Sequence, residues 1–428
     1  RVLFRSGVTF QDGTPCNADA VMFSFERLRQ AKGRAGTEFR DIASIAKVND
    51  LTVEFVLKQA YAPFLANLAI PAAGIVSPAA VALWGPAFGE HPVGTGPYRL
   101  ASWRRGERIV LRRYANYWGP PAASNRIVFQ VIADPAQRIV ELETGAADIA
   151  LGMLPHERSF VQLHPNLQLY EAATNNISYL AMNTARPALA DVRVRQAIIA
   201  AINSLPIIKV GYQGHAEPAR GMLPPMQWPA LPNLPNPYNP NRARELLAAA
   251  TAAGTFDPDR TLRLFAPNQP RAYLLDPDQV AHLIQASLAE VGIEVEIVAQ
   301  AFEQHVASVE RGEHDLCLLG WVGDNGDPDN FLFGQFGSQN ADLPHPRNFA
   351  FLRDPKLDAT LIAAQKAESH AVRTELYQQA QRRILELAPW VPLAHSRYVV
   401  ALRADLEHIM LTPTGHLVYA AVQRKVAR

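Results

Sequence analysis

The chain has 428 residues, of which 48% are hydrophobic and 19% are charged. At roughly 100–200 residues per domain, this length predicts two or three domains with ample room for buried cores. The 41 Lys and Arg residues nearly balance the 40 Asp and Glu residues, leaving a formal net charge of +1. This balance argues against a protein that binds nucleic acid by neutralising phosphates, and the composition excludes a disordered chain or a coiled coil.

The first six residues, Arg1 to Ser6, contain neither an initiator Met nor a signal peptide, which would have a basic start and an apolar run. They are also the translated end of a common sequencing adapter. We therefore hypothesise that they are an assembly scar and that native sequence begins near Gly7. On this hypothesis any signal peptide and an N-terminal segment are missing.

Alternating apolar and polar residues between turn signals indicate many short strands. The predicted strands cover residues 8–10, 51–57, 108–113, 126–132, 177–183, 261–265, 293–298, 316–321 and 391–395. Helical spacing and capping residues predict helices over 17–28, 135–144, 241–253, 278–291, 302–311 and 368–387, and one more that Asp191 caps. Residues 221–240 contain seven prolines, which predicts a loop.

The order of these elements predicts an α/β domain, since strands alternate with helices from residue 177 to residue 395. The first 170 residues are richer in strands. An uncharged stretch, residues 61–88, resembles a membrane span in composition. Its recurring prolines argue against that interpretation, because lipid cannot replace the backbone donors that proline removes. We expect short buried elements joined by turns there.

No motif for catalysis or for a cofactor stands out. The chain has no GxSxG, Walker or HExxH sequence, and Gly94-Thr95-Gly96 lacks the third glycine and the following helix of a dinucleotide site. The 12 histidines show no metal-ligand spacing. Cys16 and Cys317 form no CxxC pair and are interpreted as unpaired. We expect no catalytic residue, metal or cofactor; a metal-dependent hydrolase is the alternative from another functional class.

The densest polar cluster is Trp321-Val-Gly-Asp-Asn-Gly-Asp-Pro-Asp-Asn330. Its aspartates invite a calcium site, but an EF-hand that began at Asp324 would have Asp329 in place of glycine and Gln335 in place of glutamate. A carboxylate at a strand end beside Trp321 suits an ammonium group, because the ring shields the charge-assisted hydrogen bonds from water. The composition alone favours a third interpretation, a turn whose Asx side chains bond to their own backbone.

Several motifs resemble family 5 of the extracellular solute-binding proteins, which serve peptide, nickel and haem ABC importers. They are residues 8–25 (VTFQDGTPCNADAVMFSF), 93–98 (VGTGPY), 117–118 (YW), 179–184 (YLAMNT) and 191–197 (DVRVRQA). The order and spacing of these motifs extend the resemblance over nearly the whole chain.

The resemblance implies an α/β, two-lobed periplasmic binding protein fold of type II, with an extra subdomain in the first lobe and a ligand cleft between the lobes. The first lobe would comprise residues 1–177 and 396–428 and would be incomplete at its N-terminus. The second α/β lobe would comprise residues 178–395. Lobes of this fold close around the ligand by a hinge.

Residues 319–331 (LGWVGDNGDPDNF) are most similar to the dipeptide-binding members of the family. There the aspartate after Trp-x-Gly holds the ammonium group of the ligand, which implies this role for Asp324. An arginine 50 positions before the tryptophan holds the ligand carboxylate, which implies this role for Arg271. The other residues expected in the cleft are Trp321, Gly323, Tyr179, Asn183 and Asn348, and the alternative for the last three is a structural hydrogen-bonding role.

The resemblance also implies a function. The protein would bind dipeptides or short peptides, without enzymatic activity and without nucleic acid, and deliver them to the permease subunits of an ABC importer. It would be a monomer in the periplasm, or one anchored by lipid outside the cytoplasmic membrane. Haem, glutathione or a longer peptide are alternative ligands within the same family.

Overall fold

The computed structural model describes residues 1–31, 38–153 and 157–425. Its N-terminal part contains two three-stranded antiparallel sheets, in the orders β1-β3-β2 and β4-β5-β6. The strands are β1 (Val2–Leu3), β2 (Ile42–Asn49), β3 (Thr52–Leu57), β4 (Tyr98–Arg104), β5 (Arg108–Arg113) and β6 (Arg126–Gln130). The helices of this part are α1 (Ala18–Gln30), α2 (Phe64–Asn67) and α3 (Pro78–Trp84).

Helix α1 begins at the predicted place, because the side chain of Asn17 accepts a hydrogen bond from the amide of Ala20. Its apolar face packs on the first sheet around Phe25 and Val53. The strand predicted over residues 8–10 is wrong. The chain turns back at residues 12–14, which leaves a single bridge, between Thr9 and Pro15, and no continuing ladder.

Two helices and two strands follow this part, and both strands belong to the large sheet. They are α4 (Pro135–Thr144), β7 (Ile149–Ala150), α5 (Arg158–Leu163) and β8 (Leu167–Ala173). Helix α4 covers the predicted residues, with Asp134 as its N-cap and Gly145 in the left-handed conformation at its end. Val161 of α5 packs with Leu167 and Leu169 of β8, so α5 lies on the face of β8 that carries its odd-numbered residues.

The large sheet has eight strands, with the order β10-β14-β9-β13-β11-β12 and with β7 and β8 paired to β14. Its further strands are β9 (Asn176–Met182), β10 (Ala216–Pro218), β11 (Leu262–Pro267), β12 (Val295–Gln300), β13 (Leu316–Val322) and β14 (Trp390–Arg403). The short strands β15 (Leu406–Glu407) and β16 (Gln423–Arg424) pair with each other near the end of the chain. Strand β11 is parallel to both β12 and β13, whereas β9 is antiparallel to β13 and β14.

Helices cover both faces of this sheet, as the alternating pattern predicted. They are α6 (Pro187–Ala190), α7 (Val192–Ala201), α8 (Ser204–Gly211), α9 (Pro240–Ala252), α10 (Pro277–Ala289), α11 (Phe302–Glu310), α12 (Asp329–Phe336), α13 (Pro355–Lys366) and α14 (His370–Leu387). Leu180, Leu264 and Leu318 face the core under α7 to α10. The opposite core contains Phe265 and Trp390, and the Trp390 ring stacks on Tyr179 at 3.4 Å between centroids.

Strand β14 joins the two halves of the molecule. Its residues 390–394 pair with β9, and its residues 397–403 pair with β8. The predicted end at residue 395 is therefore wrong, because pairing with β8 extends the strand to Arg403. We infer that the two lobes divide here, at residues 177/178 and 395/396.

Two further sequence expectations concern membranes and disulfides. Among the described residues, no single helix is long and apolar enough to cross a membrane. Helices α7 and α8 have sufficient length and apolar character only when taken together, and a bend of 54° separates them. Cys16 is half-buried and Cys317 is buried, and both are free thiols, as predicted.

Candidate functional site

The parallel strands β11 and β13 are neighbours in the sheet, so the loops that follow them leave from the same edge. Crevices outside the carboxyl ends of parallel strands are the usual ligand sites of α/β sheets. The loop after β11, residues 268–276, carries Arg271, and the loop after β13, residues 323–328, carries Asp324. The two residues that were predicted to hold the ligand termini are thus brought to one edge.

The Arg271 loop is held close to the sheet by main-chain bonds. Arg271 and Leu274 exchange backbone hydrogen bonds of 2.8 and 3.0 Å. The ring of Tyr273 lies directly over Gly320 of β13, where a Cβ atom would come within 2.2 Å of the ring and 2.6 Å of a backbone oxygen. Only glycine permits this approach. The hydroxyl of Tyr212 donates to the Tyr273 carbonyl at 3.0 Å, which completes the anchoring.

The guanidinium of Arg271 lies on the ring of Phe302, the first residue of α11, with 3.2 Å between its central carbon and the ring centroid. The side chain is half-buried, and its Nε is buried without a hydrogen-bond acceptor. No carboxylate among the described residues pairs with it. A partly desolvated cation that lacks an anion is a suitable partner for a ligand carboxylate.

The Asp324 loop is organised by Asn330. The Oδ1 atom of Asn330 accepts from the indole of Trp321 at 2.8 Å and from the amide of Asp324 at 3.1 Å. Gly323 donates its amide to the Asn175 carbonyl at 2.7 Å and approaches that residue too closely for any Cβ atom. Asn330 also donates its Nδ2 to a carboxylate oxygen of the exposed Asp324 at 3.4 Å, so Asn330 contacts both that carboxylate and the half-buried Trp321.

The interpretation of the polar cluster as Asx turns is confirmed. Asn325 Oδ1 accepts from the amide of Asp327 at 2.9 Å, and Asp327 Oδ1 accepts from the amide of Asp329 at 3.0 Å. The described residues contain no group of three or more side chains that could hold a metal ion. The aspartates after Asp324 therefore shape the loop.

The same loop also touches the N-terminal part of the chain. Asn325 donates to Asn67 at 2.9 Å, and the hydroxyl of Tyr61 donates to Asp329 at 3.4 Å. The amide of Ala62 donates to the Gln365 carbonyl at 2.7 Å. These bonds join the proposed lobes next to the crevice.

Asp329 and Asp327 form a buried acidic pair with one cation. Arg373 donates to both oxygens of Asp327 at 2.8 Å. Gln365 donates to both oxygens of Asp329 at 3.0 and 3.1 Å, and Tyr377 donates to one of them at 3.3 Å. Burial, and then the neighbouring charge of Asp327, raise the pKa of Asp329 to about 7.

We expect Asp329 to make the protein less stable as the pH rises from about 4 to about 7. In this range the folded chain retains a proton that the unfolded chain, with the ordinary pKa of 3.8, has lost. The free energy of unfolding should therefore fall by up to about 1.4 kcal/mol per pH unit from this group. Chemical denaturation across this range should show the slope in the wild type and in the exposed-site control Asp278→Asn, and should not show it in Asp329→Asn. An equal slope in all three proteins would contradict the assignment.

The remaining predicted residues lie inside the protein core. Tyr179 is fully buried against Trp390, and its hydroxyl donates to Gln335 at 3.4 Å. Asn183 donates to the His314 carbonyl at 3.1 Å, and Asn348 donates to the Leu352 carbonyl at 2.9 Å. In this structure all three have the structural bonding role that the sequence analysis held as the alternative, and none lies at the strand ends beside Asp324.

Sequence reasoning did not identify Phe302 or Asn330 as parts of the site. Asn330 belongs to the quoted polar cluster, so its position was visible, but its two bonds depend on how the loop folds. Phe302 has no sequence signal, because it reaches Arg271 only through the pairing of β11 with β12.

The chain was compared with known proteins. The family model for bacterial extracellular solute-binding proteins, family 5 Middle, matches residues 2–342. Di/tripeptide-binding protein 1 of Pseudomonas aeruginosa (strain UCBPP-PA14) is 32% identical over 435 residues, covering 97% of this chain and 80% of that protein. The glutathione-binding protein GsiB of Escherichia coli (strain K12) is 32% identical over 420 residues, covering 96% and 80%.

Solved structures with similar folds include two peptide complexes. The dipeptide binding protein from Pseudoalteromonas sp. SM9913 in complex with Met-Leu has a TM-score of 0.85 and 28% identity, covering 99% of this chain and 87% of that chain. The periplasmic binding protein DppA from Helicobacter pylori, in complex with the peptide STSA, has a TM-score of 0.85 and 29% identity, covering 99% and 86%. The predicted α/β fold of the type II periplasmic binding proteins is confirmed, and the chain belongs to family 5 of the bacterial extracellular solute-binding proteins.

Proposed function

We propose that this chain binds short peptides with free termini and delivers them to the permease subunits of an ABC importer. The observation that carries the proposal is the placement of Arg271 and Asp324 on the loops that follow two adjacent parallel strands. Arg271 offers a half-buried guanidinium with an unsatisfied donor, and Asp324 offers a carboxylate beside an indole ring.

A dipeptide is a zwitterion whose two charges are separated by a short, nearly constant length. One carboxylate and one guanidinium at fixed positions can therefore select it by the distance between its ends. Arginine suits the carboxylate end because it can donate two parallel hydrogen bonds, which lysine cannot do. When the crevice closes and excludes water, a peptide whose terminus misses its partner leaves a buried charge unpaired, which costs several kcal/mol.

The similar proteins support the peptide ligand and the location. One relative is named for di- and tripeptides, and two solved relatives hold Met-Leu and STSA. The family is described as extracellular, and one solved relative as ABC transporter-associated and periplasmic. We infer that this chain works outside the cytoplasmic membrane, as a monomer, by binding without catalysis.

Calorimetric titration with Ala-Ala and with its blocked forms tests the proposal. We expect Ala-Ala to bind, and N-acetyl-Ala-Ala and Ala-Ala amide each to bind at least roughly 30-fold more weakly, since each blocked form removes one charge pair worth about 2 kcal/mol or more. Equal binding of all three ligands, or of none, would refute the assignment. Binding of haem or a longer peptide instead would identify an alternative ligand of the same family.

A further inference from the structure

The most unusual buried charge outside the crevice described so far is Arg158. It is the first residue of α5, its side chain is among the largest that are fully buried, and its exposed fraction is 2%. Its Nε and Nη1 atoms have no hydrogen-bond acceptor. Buried guanidinium donors are nearly always satisfied in folded proteins, because an unpaired buried charge is costly. Among the described residues, no hydrogen-bond acceptor therefore compensates the burial of these two donors.

The nearest opposite charge is only partly available to Arg158. Burial lowers the pKa of Arg158, and the carboxylate of Glu171 offsets part of that effect. Glu171 Oε1 lies 3.1 Å from Nδ1 of His215 and forms an ion pair with that ring when the ring is protonated. Arg397 is already paired with Glu217 at 3.1 Å. The cluster thus leaves two donors of Arg158, Nε and Nη1, unsatisfied.

The sheet places this cluster on the first-lobe side of the crevice. Glu171 is opposite Val399, and Ala173 is opposite Arg397, so the side chains of Glu171 and Arg397 share one face. Helix α5, which carries Arg158, packs on that face. Two residues after Ala173, the Asn175 carbonyl binds the amide of Gly323 in the Asp324 loop. The strand that carries Glu171 therefore leads directly to the proposed ammonium site.

We propose that Arg158 binds a second carboxylate of the ligand, so that the preferred peptides are acidic ones that carry a side-chain carboxylate in addition to their termini. This inference rests on the proposed function, because Asp324 and Arg271 would hold the peptide termini. Arg158 would bind the side-chain carboxylate of the peptide from the opposite lobe. A carboxylate can accept from both unsatisfied donors of Arg158 in parallel. A neutral side chain would leave them unpaired when the lobes close, and sites built to bind a polar group reject ligands that lack it.

Calorimetric titration with two pairs of nearly isosteric peptides tests this inference. One pair is Ala-Glu and Ala-Gln, the other is Glu-Ala and Gln-Ala, and Ala-Ala is the reference ligand. In at least one pair we expect the wild type to bind the acidic member at least about tenfold more tightly. In Arg158→Met the ratio of the affinities for the acidic and the neutral peptide of that pair should fall to near one. The unliganded Arg158→Met protein should unfold at the same temperature as the wild type or at a higher one, since the substitution removes an uncompensated buried charge.

A purely structural Arg158 would instead lower the unfolding temperature on substitution and weaken all ligands equally, which would overturn the inference. Equal binding of the acidic and neutral peptides by the wild type would also overturn it, while leaving the proposed function intact if Ala-Ala binds. Absence of binding by every peptide would refute both. If Arg158→Met does not fold, Arg158→Lys replaces it in the test, because lysine keeps the charge but lacks the planar guanidinium group. An unchanged preference of Arg158→Lys for acidic peptides would contradict the binding of a ligand carboxylate by the guanidinium of Arg158.

Discussion

Replacement of Asp324 by asparagine is expected to weaken the binding of Ala-Ala by about 30-fold to 5000-fold, which corresponds to roughly 2–5 kcal/mol for a desolvated charge pair that loses one member. The amide has nearly the shape of the carboxylate but cannot neutralise the ammonium group of the ligand. The loop itself should persist, because Asn330 accepts from the backbone amide of residue 324, which the substitution retains. Calorimetric titration of the variant and the wild type measures the effect.

The control for this variant is Asp259→Asn, which changes an exposed aspartate far from the crevice and should bind Ala-Ala like the wild type. N-acetyl-Ala-Ala provides a second control, since it has no ammonium group. The wild type and Asp324→Asn should bind it with nearly the same weak affinity. If Asp324→Asn bound Ala-Ala as tightly as the wild type, the ammonium would have another partner and the proposed orientation of the ligand would be wrong.

Replacement of Arg373 by methionine is expected to lower the free energy of unfolding by about 3–5 kcal/mol at neutral pH. Arg373 makes two bonds of 2.8 Å to Asp327, and both side chains are about nine-tenths buried. Methionine fills much of the same space but leaves Asp327 without its cation beside Asp329. Urea denaturation monitored by tryptophan fluorescence measures the loss.

Two comparisons separate the lost charge from lost packing. Arg382→Met on the same helix changes an exposed arginine, 4.0 Å from Glu375, and should cost less than about 0.5 kcal/mol. The destabilisation by Arg373→Met should also shrink as the pH falls below about 7, because protonation of Asp329 then removes one of the negative charges beside the arginine. A deficit that stays constant with pH would show that Arg373 acts through its packing alone.

The local pattern of apolar, polar and capping residues was sufficient to predict most individual helices and strands. The helix at residues 135–144 and the strand at residues 108–113 have the predicted bounds, because their caps and alternation are contained in the segments themselves. The predictions failed where pairing with distant chain decided the outcome. Strand β14 is 14 residues long because β8 pairs with its second half, and residues 8–10 have no strand partner that extends beyond one bridge.

The sequence also located the strand-end position of Asp324 and its neighbouring indole ring. It did not reveal the ring of Phe302 under Arg271, the hydrogen bond of Tyr61 to Asp329, or the unsatisfied donors of Arg158. Each of these depends on segments that are far apart in the chain. Tyr179 shows the opposite case. It lies in a family motif and was expected in the cleft, but in the structure its side chain is fully buried in the core.

The sequence by itself determined the family and the α/β class, because these follow from the order of motifs and from local periodicity. It also supplied the carboxylate and the arginine on which the proposed peptide site rests. Only the tertiary structure decided which charges are buried and which are compensated. Burial and the nearest opposite charge are set by side chains from distant parts of the chain, as Asp329 and Arg158 illustrate. The energy of a charged group depends on this surrounding far more than on its neighbours in sequence.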